Sequence, residues 1–247
     1  MMDETQGLKS VGSSFPLDCL TVYELKNDKI RIGKDHDGGY VIAEGFAYDA
    51  LIGCGISTDN SFESQFLDRY NTVCYAFDGT IDRLDQPDSR IEFFKKNISG
   101  VNNDKETNLH DLILQYRDVF VKMDIEGGEY RWIQSLGEEH LDRLRQIVME
   151  LHRPFKKDWW RCIQKLNQTH YLCHLHPNNN CGTRTIEGTV VPNVFECTYV
   201  RKSDIDYTPK RSLEKIPSGL DMRNALHKED IILDGYPWHR TVHPSGY

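Results

Sequence analysis

Residues 51–57 read Leu51-Ile52-Gly53-Cys54-Gly55-Ile56-Ser57, a short apolar run that leads into a G-x-G turn. Glycines at such a turn let a ligand approach the backbone, and the helix that follows offers free N–H groups in its first turn. Asn60 is the predicted N-cap of that helix, with Glu63 three residues on in a capping-box arrangement. By itself this pattern does not distinguish a ligand-binding turn from a plain strand-to-helix turn, which uses the same residues.

Short apolar runs recur along the chain and alternate with amphipathic stretches. This alternation predicts a mostly parallel sheet with helices on both faces. Seven strands in 247 residues leave little room for a second domain, so we expect one domain over residues 1–247. The runs are Ala50–Ile52, Val73–Phe77, Ile91–Phe94, Val119–Ile125, Ile147–Leu151, Tyr171–Leu175 and Val194–Val200.

The two ends of the chain depart from this pattern. Residues 31–42 are polar around Gly38-Gly39, so residues 1–45 are expected to form an N-terminal arm or hairpin. Residues 203–247 contain a charged, helix-like piece near Leu213–Ile216 and then a tail with Trp238 and His239. We expect that segment to act as a lid or an edge cover, with the tail tryptophan suited to stacking on a pyranose ring.

Composition excludes several classes of protein. The 30 Lys+Arg and 38 Asp+Glu give a net charge of −8, which argues against nucleic-acid binding by bulk charge. No stretch approaches the ~20 apolar residues of a membrane span. The start, residues 1–4, is acidic and does not resemble a secretory signal. Seven cysteines without a C-x-x-C pair indicate reduced thiols, and we expect a cytoplasmic protein.

The G-x-G turn and the residue after the second apolar run together indicate the kind of ligand. Thr58 stands where the dinucleotide fingerprint G-x-G-x-x-G needs its third glycine, which counts against NAD. Asp78 follows the second run at about the ~20-residue spacing expected of a carboxylate that binds a ribose diol. A nucleoside ligand without a pyrophosphate fits both observations, and S-adenosylmethionine is the commonest cofactor of this kind. The alternative is that Asp78 only caps a turn before Gly79.

A second signal lies after the fourth apolar run, where Asp124, Glu126 and Glu129 fall within six residues. The carboxyl ends of parallel strands are where open α/β sheets place their ligands. Buried carboxylates need partners, so a purely structural role for all three would be unusual. The alternative is a solvated loop that turns at Gly127-Gly128.

A third signal follows the fifth run, where Glu150 and His152 share strand parity. If this strand lies beside the one that carries Asp124, a divalent cation on Asp124 and Glu150 could lower the pKa of an accepting hydroxyl. His152 could instead be the general base. The remaining alternative is an ordinary hydrogen-bonded histidine.

Three further histidines, His170, His174 and His176, have even spacing and are therefore expected on one strand face. Their spacing does not match a structural zinc site. A substrate-side role for His176 is the better hypothesis.

Residues 122–129, Lys122-Met123-Asp124-Ile125-Glu126-Gly127-Gly128-Glu129, resemble the K-x-D-I-E-G-x-E signature of FkbM-type S-adenosylmethionine-dependent methyltransferases. Gly128 stands where that family commonly has Ala, and Gly79 where related sequences often have Pro. The resemblance covers residues 31–152 in the expected order. Its other motifs are Asp37-Gly38-Gly39-Tyr40, Gly53-x-Gly55 with Asp59, Ser61, Phe62 and Glu63, Phe77-Asp78-Gly79-Thr80, and Glu150-Leu151-His152.

The resemblance implies the seven-stranded sheet of the class I, Rossmann-like methyltransferases and methyl transfer to an oxygen, for which we expect a sugar or glycan hydroxyl. S-adenosylmethionine is the expected cofactor, with Mg²⁺ or Mn²⁺ as a second candidate. The expected cofactor-binding residues are Gly53, Gly55, Asp78, Phe77, Ser61, Asn97, Gly38, Gly39 and Tyr40. The expected catalytic residues are Asp124, His152 and Glu126, with Asp124 and Glu150 as metal ligands.

Three alternatives to this function stay open. The acceptor could be a lipid or another non-sugar small molecule. A nicotinamide-dependent oxidoreductase or epimerase is a second alternative, which Thr58 disfavours. A non-catalytic binding module is the third, and the acidic cluster at residues 124–129 counts against it.

Overall fold

The computed structural model describes residues 15–156 and 159–238. The strands there are β1 (Tyr23–Glu24), β2 (Lys29–Ile32), β3 (Tyr40–Ala43), β4 (Ala50–Cys54), β5 (Val73–Phe77), β6 (Ile91–Phe94), β7 (Asn97–Ile98), β8 (Glu106–Thr107), β9 (Val119–Met123), β10 (Leu144–His152), β11 (His170–Pro177), β12 (Thr183–Ile186), β13 (Thr189–Pro192), β14 (Val194–Arg201) and β15 (Lys210–Arg211). The α-helices are α1 (Ser61–Arg69), α2 (His110–Leu114), α3 (Glu129–Ser135), α4 (Glu138–Leu141) and α5 (Trp159–Thr169). None of the helices in these two ranges has the length and apolar character that crossing a membrane requires.

The central feature is a seven-stranded sheet with the order β11-β14-β10-β9-β4-β5-β6. The five strands from β10 to β6 are parallel, and β14 is antiparallel to both of its neighbours. By chain order the sheet reads 3-2-1-4-5-7-6, so the winding direction reverses between β4 and β9. Open α/β sheets bind ligands at the carboxyl edge beside such a reversal. The predicted seven-stranded, mostly parallel sheet is confirmed, and each of the seven apolar runs supplies one of its strands.

The apolar runs form strands because both of their faces are buried. Every residue of β4 and of β9 is buried, as expected for parallel strands in the middle of a sheet. Alternate side chains join two separate clusters: Ile52 and Val121 pack with buried residues of α3 and α5, whereas Leu51 and Phe120 pack with α1 and the β2–β3 pair. Since successive side chains of a strand point to opposite faces, the clusters lie on opposite sides of the sheet.

Helix α1 begins at Ser61 with Asn60 at its N-cap, as predicted, but the predicted capping box is wrong. The Asn60 side chain makes no capping hydrogen bond. Asp59 Oδ1 instead accepts a hydrogen bond from the Ser61 backbone N–H at 3.0 Å. The Glu63 side chain is fully buried rather than turned back to the helix end, because it packs against Gly53 of β4.

Strands β2 and β3 form an antiparallel pair ahead of the sheet. All four residues of β3 are buried. The Gln146 side chain of β10 holds this pair on the sheet, since its Oε1 accepts from Ala43 N–H at 2.7 Å and its Nε2 donates to Ala43 O at 3.0 Å. Tyr40 at the start of β3 is thereby held over the carboxyl edge of the central strands.

The C-terminal segment has no helix near Leu213–Ile216, so the helix predicted there is wrong. Ser212 N–H donates to Val22 O at 2.8 Å, and Ile216 forms a bridge with Leu233. These backbone bonds keep the segment extended. Trp238 is 1% exposed and belongs to the first apolar cluster, so it cannot stack on a sugar. His239 lies outside the described residues.

The three histidines of β11 do not share a face, contrary to the parity prediction. The register of β11 against β14 shifts between Leu172 and His174, as in a β-bulge. The shift leaves His174 and His176 on one face and His170 on the other. His174 Nε2 lies 2.8 Å from Asp221 Oδ1, whereas His170 Nε2 lies 2.6 Å from Leu144 O.

We predict that His170 makes the protein less stable in mild acid. Burial, the largest cause, lowers the pKa of His170 to about 4. The unfolded chain, with a histidine pKa near ~6.5, therefore takes up this proton first as the pH falls. Stability that is full above about pH 6.5 is lost towards pH 4, by about 2 kcal/mol between pH 7 and pH 5.

Urea unfolding of the wild type and of His170→Gln at pH 7 and pH 5 measures this contribution. The variant should lose about 2 kcal/mol less than the wild type between the two pH values. Equal losses in both proteins would contradict the assignment, whatever the stability of the variant at pH 7.

Candidate functional site

A cavity of about 370 Å³ opens at the carboxyl ends of β4, β5 and β9, beside the reversal of the sheet. Its apolar walls are Phe77, Ile98 and Ile125. Its polar lining is more acidic than basic. The polar side chains are Ser57, Asp78, Thr80, Lys96, Asn97, Asp124 and Glu126.

Gly55 forms the floor of this cavity, where two chain segments almost touch. Its φ is +75°, and a Cβ at this position would lie 1.7 Å from Asp124 O. Asp124 N–H donates to Cys54 O at 3.0 Å, and Lys122 Nζ donates to Gly55 O at 2.7 Å. Only glycine fits, because any side chain would push β9 away from the β4 turn.

Gly53 does not line the cavity and serves a different purpose. A Cβ there would lie 2.5 Å from Oε1 of Glu63. The Glu63 carboxyl is fully buried and has no hydrogen-bond partner within residues 15–156 and 159–238. Burial raises its pKa, and the nearby charge of Lys122 opposes that shift. Gly53 thus makes room for a buried acid behind the turn.

Asp78 lies on the cavity wall, and its carboxylate is already engaged. Oδ2 accepts from the N–H groups of Ile56 and Ser57 at 2.9 and 2.8 Å, and Oδ1 accepts from Thr80 N–H and Oγ1–H at 2.7 and 2.6 Å. Burial opposes the charge, but these hydrogen bonds outweigh it and lower the pKa of Asp78. The carboxylate therefore fixes the loop after β4.

The remaining residues predicted to bind a cofactor fall into two groups. Phe77 lines the cavity and stacks on Phe94 with ring centroids 4.9 Å apart, and exposed Asn97 lines it beside Phe77. The second group lies outside the lining. Gly38 packs against Asp59, Gly39 against Lys34, and Ser61 Oγ accepts from Lys34 N–H at 3.0 Å.

Tyr40 connects the N-terminal pair of strands to the cavity. Its hydroxyl donates to Asp124 Oδ2 at 3.1 Å, and the side chain is 3% exposed. Burial, and then the charges of Asp124, Glu196 and Glu150, raise the pKa of Tyr40 well above its ordinary value. The Tyr40 hydroxyl therefore keeps its proton and acts as a hydrogen-bond donor to the neighbouring carboxylate.

An acidic cluster with one imidazole begins at the cavity rim. One ligand-type atom from each of Asp124, Glu150 and His152 lies within 4.8 Å of the other two. His152 Nε2 lies 3.3 Å from Glu150 Oε2 and 3.5 Å from Glu126 Oε2. Asp124 Oδ1 is buried and has no hydrogen-bond partner among the described residues. The structure thus brings Asp124, Glu126, Glu150 and His152 together.

Glu129 is fully buried and holds both the turn after β9 and the ring of His152 in place. Its Oε1 accepts from the N–H groups of Ile125 and Gly127 at 3.2 and 3.1 Å, and from His152 Nδ1 at 3.1 Å. A carboxylate only accepts, so Nδ1 of His152 carries the hydrogen and Nε2 faces the cluster.

The carboxylates alter one another's charge and that of the imidazole. Burial, and then the charge of Asp124, raise the pKa of Glu150. Burial acts to lower the pKa of His152, but the hydrogen bond and charge of Glu129 outweigh it and raise that pKa. The imidazole must therefore give up a proton from Nε2 before that nitrogen can act as a base or bind a metal ion.

Sequence reasoning missed two residues of this region. Asn178 Nδ2 donates to Glu150 Oε1 at 2.7 Å, and Glu196 of β14 is 5% exposed opposite Glu150. A glutamate in the largely apolar run Val194–Val200 was the available signal, because a buried carboxylate needs partners.

No family model and no curated protein matches the chain. Among solved structures, the chain is similar to "a putative methyltransferase" from Thermoplasma acidophilum, with 10% identity, a TM-score of 0.35, and coverage of 65% of this chain and 71% of that one. It is also similar to a "putative hemolysin" from Streptococcus thermophilus, with 12% identity, a TM-score of 0.38, and coverage of 68% of this chain and 63% of that one. Scores this low assign neither a family nor an activity.

We predict that Gly55→Ala is far more harmful than the same change at Gly188. Both glycines have positive φ, +75° and +81°, but a Cβ at Gly188 would meet nothing within 4 Å. Gly188→Ala should cost about 1–2 kcal/mol from backbone strain alone. Gly55→Ala should cost more than about 3 kcal/mol, because β9 must also move.

Urea unfolding of the two variants gives the comparison. Equal free energies of unfolding would show that the close approach of Gly55 to Asp124 does not constrain the fold.

Proposed function

We propose that the protein is an S-adenosylmethionine-dependent methyltransferase that methylates a hydroxyl oxygen, with a sugar or glycan as the acceptor. One observation carries the proposal: the cavity at the sheet reversal shares Asp124 with the acidic cluster. A cofactor in the cavity and an acceptor at the cluster would then meet at one residue. The FkbM-type resemblance of residues 31–152 supports the same reading.

The residues of the cavity suit this cofactor. Its volume of about 370 Å³ lies in the usual range for small-molecule sites, about 300–1,000 Å³. Phe77 and Ile98 offer apolar surface to an adenine, with Asn97 as a polar partner for its edge. The lining carries more negative than positive side chains, with Asp78, Asp124 and Glu126 against Lys96. This excess of negative charge favours a cationic ligand over a pyrophosphate.

When bound, S-adenosylmethionine supplies a methyl group on a sulfonium: the bond from this carbon to the acceptor oxygen forms as its bond to sulfur breaks. The residues of the protein then have two tasks, to align the hydroxyl and to accept its proton. Asp124 lies between the cavity and the cluster and is placed for both. We infer that Asp124, Glu126 and His152 carry these tasks, with Tyr40 orienting Asp124.

We further propose that Asp124, Glu150 and His152 hold Mg²⁺ or Mn²⁺. Asp124 Oδ1 is buried and has no hydrogen-bond partner among the described residues, so this oxygen is available to a cation. Glu129 holds Nδ1 of His152, which is the usual support of a histidine ligand. A cation here would hold the carboxylates together and lower the pKa of the accepting hydroxyl. The competing version uses His152 as the base without a metal.

The ends of the chain complete the proposal. We infer a single domain over residues 1–247, in which residues 1–45 act as an arm and residues 203–247 as a cover. Contacts of the described part support this: Tyr40 reaches Asp124 from the arm, and Asn224 reaches Glu196 from the C-terminal segment.

We predict that S-adenosylhomocysteine binds and that Asp78→Ala weakens its affinity by about 1–3 kcal/mol. Loss of this carboxylate frees the N–H groups of Ile56 and Ser57, so the loop beside the cofactor loses its fixed shape. Asp82→Ala is the matched control, because Asp82 is exposed and forms its ion pair with Lys95, away from the cavity lining.

Isothermal titration calorimetry with S-adenosylhomocysteine, and with NAD for comparison, tests this prediction. Equal affinity in both variants would remove Asp78 from the site. Tighter binding of NAD would overturn the methyltransferase proposal.

Metal dependence separates the two versions of the chemistry. With a metal, treatment with EDTA should abolish methyl transfer and added Mg²⁺ or Mn²⁺ should restore it, and Asp124→Asn and Glu150→Gln should both be inactive. Full activity in EDTA, with loss of activity in His152→Ala, would refute the metal and leave the imidazole as base.

A further inference from the structure

A row of four polar side chains crosses the sheet beyond the cavity. Glu196 of β14 lies directly opposite Glu150 of β10 on one side and His176 of β11 on the other. Met123 of β9 pairs with Met149 of β10. Asp124 and Glu150 are the next residues of these two segments, so they are neighbours across the sheet. Asp124, Glu150, Glu196 and His176 are here called the polar row.

The row is held together by hydrogen bonds between neighbouring side chains. Glu196 Oε2 lies 3.2 Å from His176 Nδ1, and Glu196 Oε1 accepts from Asn224 Nδ2 at 2.8 Å. Glu150 accepts from Asn178 Nδ2 at 2.7 Å. None of these hydrogen bonds comes from a lysine or an arginine, so the row is not built for an anion.

Three atoms in the row or on Asn224 beside it have unused hydrogen-bonding capacity. They are Asp124 Oδ1, His176 Nε2 and Asn224 Oδ1, each buried and without a partner in the described part of the chain. His176 itself is 0% exposed. Unpaired buried polar atoms are costly, and several in one band indicate a missing partner. Two of these three atoms, the carboxylate and amide oxygens, can only accept.

We infer that the polar row is the acceptor subsite and that Glu196 with Asn224 binds a second hydroxyl of a polyhydroxylated acceptor. This inference rests on the proposed function, which places the reacting hydroxyl at Asp124. The cofactor cavity lies on the β4–β5 side of Asp124, and the polar row continues from Asp124 towards β11. A pyranose ring along the row would present one hydroxyl to Asp124 and others to Glu150 and Glu196, as donors to these acceptors.

The row is closed by residues 218–229, here called the strap. Asp221 Oδ1 lies 2.8 Å from His174 Nε2, and Asn179 Oδ1 accepts from Ala225 N–H at 2.8 Å, so both flanks of Asn224 are anchored. The seam between strap and arm is weaker. Its hydrogen bonds in the described part of the chain join His36 Nδ1 with Arg223 O at 3.2 Å and Asn224 Nδ2 with Asp37 Oδ1 at 3.4 Å. The acceptor reaches the row by parting this seam.

The test combines direct binding with kinetics. Calorimetry on the full chain, saturated with S-adenosylhomocysteine, measures the Kd of the methyl pyranosides of glucose, galactose, mannose, fucose and rhamnose. The tightest of these is then compared with its monodeoxy analogues. In Glu196→Gln and in Asn224→Ala, we expect its Kd and its KM to rise about 10- to 100-fold. The kcat and the affinity for S-adenosylhomocysteine should stay within about threefold of wild type.

One monodeoxy analogue should bind wild type and Glu196→Gln alike, because it lacks the hydroxyl that Glu196 binds. Glu92→Gln on β6 is the matched control: it makes the same change at an exposed strand position on the opposite edge of the sheet, and should keep the Kd within about threefold.

The outcomes separate this inference from the proposed function. If S-adenosylhomocysteine does not bind the wild type, the proposed function fails. If it binds but no pyranoside does, or if Glu196→Gln and Asn224→Ala leave the Kd unchanged, the polar row is not the acceptor subsite. An equal loss in Glu92→Gln would assign the effect to the lost charge alone and overturn the role of Glu196.

Discussion

The closest backbone approach at the site, between Gly55 and Asp124, is the constraint on which the rest depends. A Cβ on Gly55 would lie 1.7 Å from Asp124 O, so the β4 turn and the end of β9 are locked together. The hydrogen bond from Asp124 N–H to Cys54 O fixes the same contact from the other strand. This contact sits at the reversal of the sheet, and it sets both the floor of the cavity and the origin of the acidic cluster. A shift of either strand would separate the two.

Carboxylates hold the loops around that contact. Asp78 gathers four hydrogen bonds and shapes the loop after β4, and Glu129 does the same for the turn after β9. Glu129 also fixes the ring of His152. The other carboxylates, Asp124 and Glu150, are left with capacity for a ligand. The acids of the site thus fall into two groups, those that hold the loops and those that keep capacity for a ligand, although all of them lie near strand ends.

The neighbours of the cluster come from distant parts of the chain. Tyr40 enters from the N-terminal strands, Asn178 follows β11, and Glu196 lies on the last strand of the sheet. The antiparallel strand β14 is what places Glu196 between Glu150 and His176, because it inserts between β10 and β11. The polar row therefore exists only once the sheet is complete, and the strap over it reaches the same residues from the C-terminal segment.

The sequence by itself determined the seven strands, the G-x-G turn and the cluster of Asp124, Glu126, Glu150 and His152, because apolar runs and strand-end carboxylates are local patterns. Tertiary structure decided the rest. A bulge in β11 moved His170 away from His174 and His176, and a bulge leaves no mark in side-chain parity. Trp238 packs in the core, and the chain near Ile216 is extended rather than helical. Strand order alone brought Glu196 to the site, since residues 46 positions apart in sequence become neighbours only by pairing.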